Sequence, residues 1–294
     1  MSKPVFLTLV RSPKEKSCAR LLIDSIRAFG GELRDCPIWL FEANPQNAPC
    51  QDLASDNVRI IALNIPASLE NYLFADKVSA CAQAEAMATP DVQSFIWMDP
   101  TVLCVQPPVL FDLGAEFDVA LRPVHIRNIG SLTTEPLDAY WQTIYRTIGV
   151  DDIAPTVESF VDAQNLRAYF NTHAFAANPN LGLFARWGTY FASLIGNAAF
   201  QTRACQDQRH QVFLHQAILS ALVATMIDAA RVRILPPEYN YPLHLHTQIP
   251  LARRAQTLNR LVCPVYEDDV PHPDRLKIQV DEPLRTWLME RVTK

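Results

Sequence analysis

The chain has 294 residues, 49% of them apolar and 19% charged, enough to bury a sizeable core as one large α/β domain or two average ones. Eight glycines against 22 prolines exclude collagen-like and Gly-linker chains, and no G-x-G-x-x-G or G-x-x-x-x-G-K-[ST] run exists to cradle a phosphate. A formal charge of −5 with scattered Lys and Arg argues against a nucleic-acid partner. The best apolar stretch, Ala217 to Ile227, is broken by Ser220 and Thr225 and falls short of the roughly 20 residues a span needs, so no integral membrane segment is expected. The run Val5 to Val10 is stopped at once by Arg11, which is unlike a signal peptide. Seven cysteines without C-x-x-C spacing read as reduced thiols in a cytoplasmic protein, with Cys18, Cys81 and Cys104 acting as small hydrophobes.

The first hundred residues alternate short apolar runs with amphipathic segments, the pattern of a parallel sheet with crossover helices. Val5 to Val10 predicts a strand. Lys14 to Phe29 predicts a helix, with Leu22, Ile26 and Phe29 on one face and Gly30-Gly31 at its end. Strands are expected at Ile38 to Phe41 and Val58 to Leu63, a helix at Phe74 to Ala88, a strand at Ser94 to Met98 and a short one at Val102 to Val105. Beyond these, Asp118 to Arg122 reads as a strand, Pro136 to Ile148 as a helix, Tyr169 to Ala177 as extended and Leu181 to Ile195 as a helix. Gln208 to Asp228 is the longest helix, apolar nearly all round in its second half and so buried. Val232 to Leu235 is a strand, and a short helix surrounds Trp287. The division expected is a main domain over 1–250 and a C-terminal extension over 251–294.

Asp99 directly follows Phe95-Ile96-Trp97-Met98, so it projects from the carboxyl end of a buried strand, where open α/β sheets place their ligands. A carboxylate there must be paired, metal-bound or wet. The alternative is an aspartate that only starts the turn before Pro100. His244 and His246 share a face if the backbone is extended, and imidazole with oxygen ligands suits Mn²⁺ better than Mg²⁺; otherwise they lie on a loop surface. His210 and His215, five apart on a helix, diverge by about 140° and cannot chelate one ion. Lys77 lies on the helix before the Asp99 strand, as a ligand-facing cation or a solvated residue. Glu85, on the apolar face of that helix, pairs with a buried Arg or marks the helix end. The run Glu267-Asp268-Asp269 reads as a solvated loop.

Four segments resemble, in order, the motifs of GT-A-type glycosyltransferases, with the retaining, family-8-like branch nearest. Phe95-Ile96-Trp97-Met98-Asp99-Pro100-Thr101 is similar to the strand ending in Asp-x-Asp. Tyr169-Phe170-Asn171-Thr172-His173-Ala174-Phe175 resembles the Phe-Asn-[Ser/Ala]-Gly stretch. His215-Gln216-Ala217-Ile218-Leu219 resembles the Asp-Gln helix, and Leu235-Pro236-Pro237-Glu238-Tyr239-Asn240-Tyr241 the Leu-Pro…Tyr-Asn segment. Together they span roughly residues 4–246. Three motif positions depart: Thr101 replaces the second Asp, His173 the Gly and His215 the first Asp of Asp-Gln.

The resemblance implies a three-layer α/β sandwich with a mixed, mostly parallel sheet, and transfer of a sugar from a nucleotide-diphosphate sugar to an acceptor that no motif specifies. It places Gln216, Asn171 and His215 at the reacting sugar, and Arg11, Lys77, Asp99, Thr101 and His173 against nucleotide and sugar. Asp99 with His244 or His246 would hold Mn²⁺ or Mg²⁺, at a site impoverished by Thr101. The same departures suit a non-catalytic member that binds a nucleotide or sugar. A nucleotidyltransferase ranks behind both, because Leu9-Val10-Arg11-Ser12-Pro13 has no glycine.

Overall fold

The computed structural model describes residues 3–267 and 270–292. Strand β1 (Lys3–Val10) is buried along its whole length after Lys3, as an unbroken apolar run in a sheet covered on both faces should be. Val5, Leu7 and Leu9 enter one core while Phe6 and Val10 enter the other, the period-two alternation that separates the two helix layers. Helix α1 (Pro13–Phe29) starts where the Ser12 side chain accepts from the Glu15 N–H at 3.2 Å with Pro13 in the first turn.

Strands β2 (Ile38–Glu42) and β3 (Val58–Ala62) follow, then α2 (Ala75–Ala86), β4 (Val92–Met98), β5 (Val119–Leu121), α3 (Ala139–Ile148), β6 (Thr156–Glu158), β7 (Asn165–Arg167) and β8 (Ala174–Ala177). After them come α4 (Leu183–Gly196), α5 (Ala198–Arg203), α6 (Gln208–Met226), β9 (Val232–Ile234), β10 (Tyr239–Pro242), β11 (Cys263–Val265) and α7 (Leu284–Val292). The main sheet has seven strands in the order β3-β2-β1-β4-β8-β5-β9. Only β8 runs antiparallel to its neighbours, so the sheet is mixed and mostly parallel, as expected. Met98, the last residue of β4, stands opposite Ala174, the first of β8. The carboxyl ends of β1, β4 and β5 and the segment entering β8 therefore share one edge of the sheet.

Two extended segments differ from expectation. Val102 to Val105 forms no ladder strand; it contacts the β11 region through Leu103 N to Pro264 O (2.9 Å) and Val105 N to Val262 O (2.8 Å). Tyr266 N returns a bond to Thr101 O at 3.1 Å, so Val102 bridges Val265, but Pro264 has no N–H to extend the bridge into a ladder. Of Tyr169 to Ala177, only Ala174–Ala177 joins the sheet. In the segment after 250, expected to pack on the main domain, Leu258, Leu261, Ile278, Val280, Leu284 and Leu288 share a core with Cys18, Leu21 and Leu103.

Glu85 lies at the end of α2, one of its two expected readings, and its partners are backbone N–H groups rather than an Arg. Its carboxylate accepts from Phe184 N at 3.2 Å and Ala185 N at 2.8 Å, the open N–H groups that start α4, whose own N-cap Gly182 offers no side chain. Burial raises its pKa against the lowering effect of the Ala185, Phe184 and Leu183 N–H groups. Glu85→Ala should lower unfolding free energy by about 1–2 kcal/mol in chemical denaturation, since it strips the cap and its charge from the open N–H groups that start α4. An unchanged midpoint would show that α4 needs no partner from α2.

Candidate functional site

A cleft of about 340 Å³ opens at this shared edge, lined among others by Arg11, Lys77, Asp99, Thr101, His215 and Gln216. Asp99 is therefore a cleft residue, and it is ionised. Its carboxylate lies 2.8 Å from Lys77 Nζ and accepts from Trp97 Nε1 at 2.8 Å. Burial works to raise its pKa, but Lys77 first, then His173 and Arg11, hold it below the ordinary carboxylate value. Lys77, 1% exposed, is no solvated helix residue. Its ammonium also donates to Thr172 O at 3.2 Å and lies over the rings of Phe74 and Trp97, 5.4 and 5.5 Å from their centroids. Phe74 precedes α2 with a left-handed φ of 62°, an unfavourable conformation for a residue with a side chain, and its ring stacks on His215 at 4.3 Å.

Arg11 reaches the cleft but is not free to grip a diphosphate. Its guanidinium pairs with Asp76 through Nε and, at 3.0 Å, through Nη2, and with Glu15 through Nη1 at 3.0 Å. Burial opposes its charge, and Asp76 and Glu15 more than restore it. The fork expected to bind a ligand thus ties the β1–α1 junction to α2.

The histidines divide by hydrogen bonding. His215 Nδ1 donates to Val212 O at 2.8 Å, because a carbonyl can only accept, which leaves Nε2 to accept from the Thr172 hydroxyl at 3.0 Å. Thr172 Oγ1 also lies 3.4 Å from Gln216 Oε1, a competing acceptor for its single hydrogen. Burial pushes the His215 pKa well down, and the imidazole is neutral. His173 is neutral as well: burial, then Lys77 and His244, outweigh Asp99 and bring its pKa to about 4. Asn171 does not line the cleft; its Oδ1 accepts from His173 N at 2.8 Å and Nδ1 at 2.9 Å and so aims that ring.

His244 and His246 do not act together. Leu243–Gln248 is a 3₁₀ turn, not an extended segment, so residues two apart diverge by about 240°. His244 Nε2 lies 3.4 Å from Glu267 Oε1, whereas His246 is buried against Tyr241, with Nδ1 2.9 Å from the phenol oxygen. Glu267 itself corrects the solvated-loop reading: it lines the cleft and also lies 3.4 Å from His173 Nε2. Asp268 and Asp269 lie outside the described residues. Glu15, Phe74, Thr172 and Phe213 also line the cleft without having been singled out. Only Glu15 carried a local signal, four residues after Arg11.

GT-A relatives as a class imply a divalent ion, but the side chains do not fit a resident one. Among the described residues no three His, Cys, Asp or Glu groups converge to hold a metal. The two oxygens of Asp99 are taken by Lys77 and Trp97. The lining sets Glu15, Asp99 and Glu267 against Arg11 and Lys77, and Asp76 adds a further negative charge behind Arg11.

This fold is that of GT-A-type glycosyltransferases. The chain belongs to the Rhodobacterales glycosyltransferase domain family, whose model matches residues 6–226. Among solved structures it is similar to galactosyltransferase LgtC in complex with donor and acceptor sugar analogues, at 14% identity and a TM-score of 0.55 over 99% of this chain and 95% of that one. An active-site variant of LgtC matches with 14% identity and a TM-score of 0.56, over 99% and 96%. The bifunctional glycosyltransferase WbbM, in its apo form, matches at 12% identity and a TM-score of 0.52 over 100% of this chain and 52% of that one. At such identities the likeness bears on fold alone. No curated protein sequence matches the chain. No helix among the described residues is long and apolar enough to cross a membrane.

The buried pair makes the sharpest prediction here. Lys77→Met or Asp99→Asn alone should cost about 3–5 kcal/mol of stability, because each strands the partner in a dry site. The double variant should cost clearly less than the sum, as urea titrations of all four proteins would show. Because the folded pKa of Asp99 is depressed, its contribution is present above the unfolded carboxyl pKa and fades as pH falls through the lower folded value. Additive losses would mean that the two groups do not interact.

Proposed function

We propose that this cleft binds a nucleotide-diphosphate sugar and transfers the sugar to an acceptor hydroxyl. The observation that carries the reading is the convergence, at the carboxyl end of β4, of Asp99, Lys77, Thr101, His215 and Gln216 in a chain of a glycosyltransferase family. That LgtC takes donor and acceptor sugar analogues supports the same reading. In the reaction the bond from the anomeric carbon to the diphosphate oxygen breaks and a bond to the acceptor oxygen forms. The acceptor's hydroxyl proton passes to the diphosphate, which departs with the bonding pair. His215, fixed through Thr172, and Gln216 beside it face the sugar. Neutral imidazoles at His173 and His215 do not repel the positive charge that develops on the ring. His173, aimed by Asn171, borders the diphosphate.

Charge decides how the donor enters. Both cations of the lining are already paired with carboxylates, so a bare diphosphate would meet a net negative wall. A Mn²⁺ or Mg²⁺ ion arriving with the diphosphate would offset that wall by neutralising phosphate charge, and Asp99, with His244 beside Glu267, would be the protein groups to hold it. The seven cysteines, all free thiols and all buried, support a cytoplasmic setting.

Calorimetric titration tests the binding half of this reading. Mn²⁺ alone should give no heat, Mn²⁺ with UDP should bind, and Asp99→Asn should abolish the metal-dependent part. Gln216→Ala should reduce sugar transfer from a UDP-sugar by about 100-fold with nucleotide affinity nearly unchanged. Binding without any turnover of a nucleotide-sugar panel would favour the non-catalytic reading, for which Thr101 is the motivating feature. Tight binding of Mn²⁺ alone would overturn the coupled entry.

A further inference from the structure

From Pro250 to Pro264 the chain carries three arginines and no acidic residue, in a protein of net charge −5. Two short 3₁₀ turns, Leu251–Arg253 and Leu258–Arg260, fold this segment around a cavity of about 220 Å³ whose walls include Arg253, Arg254, Arg260, Tyr241 and Glu238. Arg254 is anchored but not neutralised: Nε donates to Ile249 O at 3.0 Å, and Nη2 to Thr247 O and Ile249 O at 2.7 Å each. Arg253 bonds Glu158 at 2.6 Å and Phe160 O at 3.2 Å. No ion pair among the described residues includes Arg254 or Arg260. Three arginines thus line a concave space whose one acidic lining residue is Glu238, with Glu158 pairing only Arg253 from outside. A planar guanidinium fork matches phosphate oxygens.

We propose that this cavity binds a phosphate group, as a soluble phosphate ester or as a lipid headgroup, at a site separate from the donor cleft. Its wall is joined to that cleft. Tyr241 Oη accepts from Ala255 N at 3.2 Å and lies 2.9 Å from His246 Nδ1, in the turn that also carries His244. A phosphate held here sits behind the His244 turn, the place for an acceptor or a surface that carries phosphate. Leu251, 81% exposed on the same turn as Arg253, gives the rim an apolar point suited to a headgroup region.

Two probes distinguish the sources. Glycerol 1-phosphate is titrated by calorimetry, and phosphatidylcholine vesicles with and without phosphatidylglycerol are used in flotation. Binding in either arm that weakens roughly fivefold for each of Arg253→Gln and Arg260→Gln, and falls with added salt, is the expected result. Retention by phosphatidylglycerol vesicles alone, lost in Leu251→Ser, identifies the headgroup; binding of glycerol 1-phosphate without vesicle retention identifies a free ester. Arg260, exposed and outside the donor cleft, should leave UDP binding unchanged when replaced, so failure here is separable from failure of the donor reading. No binding in either arm, or binding indifferent to both arginine substitutions, overturns the proposal.

Discussion

The site depends on a lysine that has been taken out of water. Lys77 is buried on the inner face of α2, and a charge so placed requires a partner of opposite sign. Asp99 is that partner, which fixes α2 against the end of β4 and holds the carboxylate in one orientation. Trp97 Nε1 takes a second position on the carboxylate, and Thr172 O a further donor of the ammonium, so the segment entering β8 joins the same network. Through Thr172 the order reaches His215 on α6, next to Gln216. One ion pair thereby links α2, β4, β8 and α6, the elements that wall the cleft.

Much of this scaffold was legible because it rests on period and burial. The apolar runs of β1 and β4 and the length of α6 report how deeply those segments are buried. The placement of Asp99 followed from the strand before it. Motif order added Gln216 and Thr101, which line the cleft. Positions read from local pattern alone fared less well. Lys77 looked the same whether solvated or buried, since its neighbours on α2 include both kinds of residue.

What the sequence hid was long-range pairing. Arg11 lost its freedom to Asp76, 65 residues away, and Glu85 found its donors 100 residues away at the start of α4. The two histidines near residue 245 were separated by a 3₁₀ turn, whose angular step differs from that of a strand. Glu267 sits in a run of acids that reads as solvent-facing, yet β11 carries it back beside Thr101, where Tyr266 N bonds Thr101 O at 3.1 Å. A carboxylate thus stands near the position where the motif lacks one, brought there by tertiary structure rather than by the local motif.

The central claim is that sugar transfer is organised around the Lys77–Asp99 pair at the carboxyl end of β4. A crystal structure with UDP and Mn²⁺ addresses it most directly. The account predicts the diphosphate in the cleft between Asp99 and Gln216, with the ion beside Asp99 and the Lys77 contact retained. A nucleotide ordered in a different cavity, with this cleft filled only by water, would contradict it.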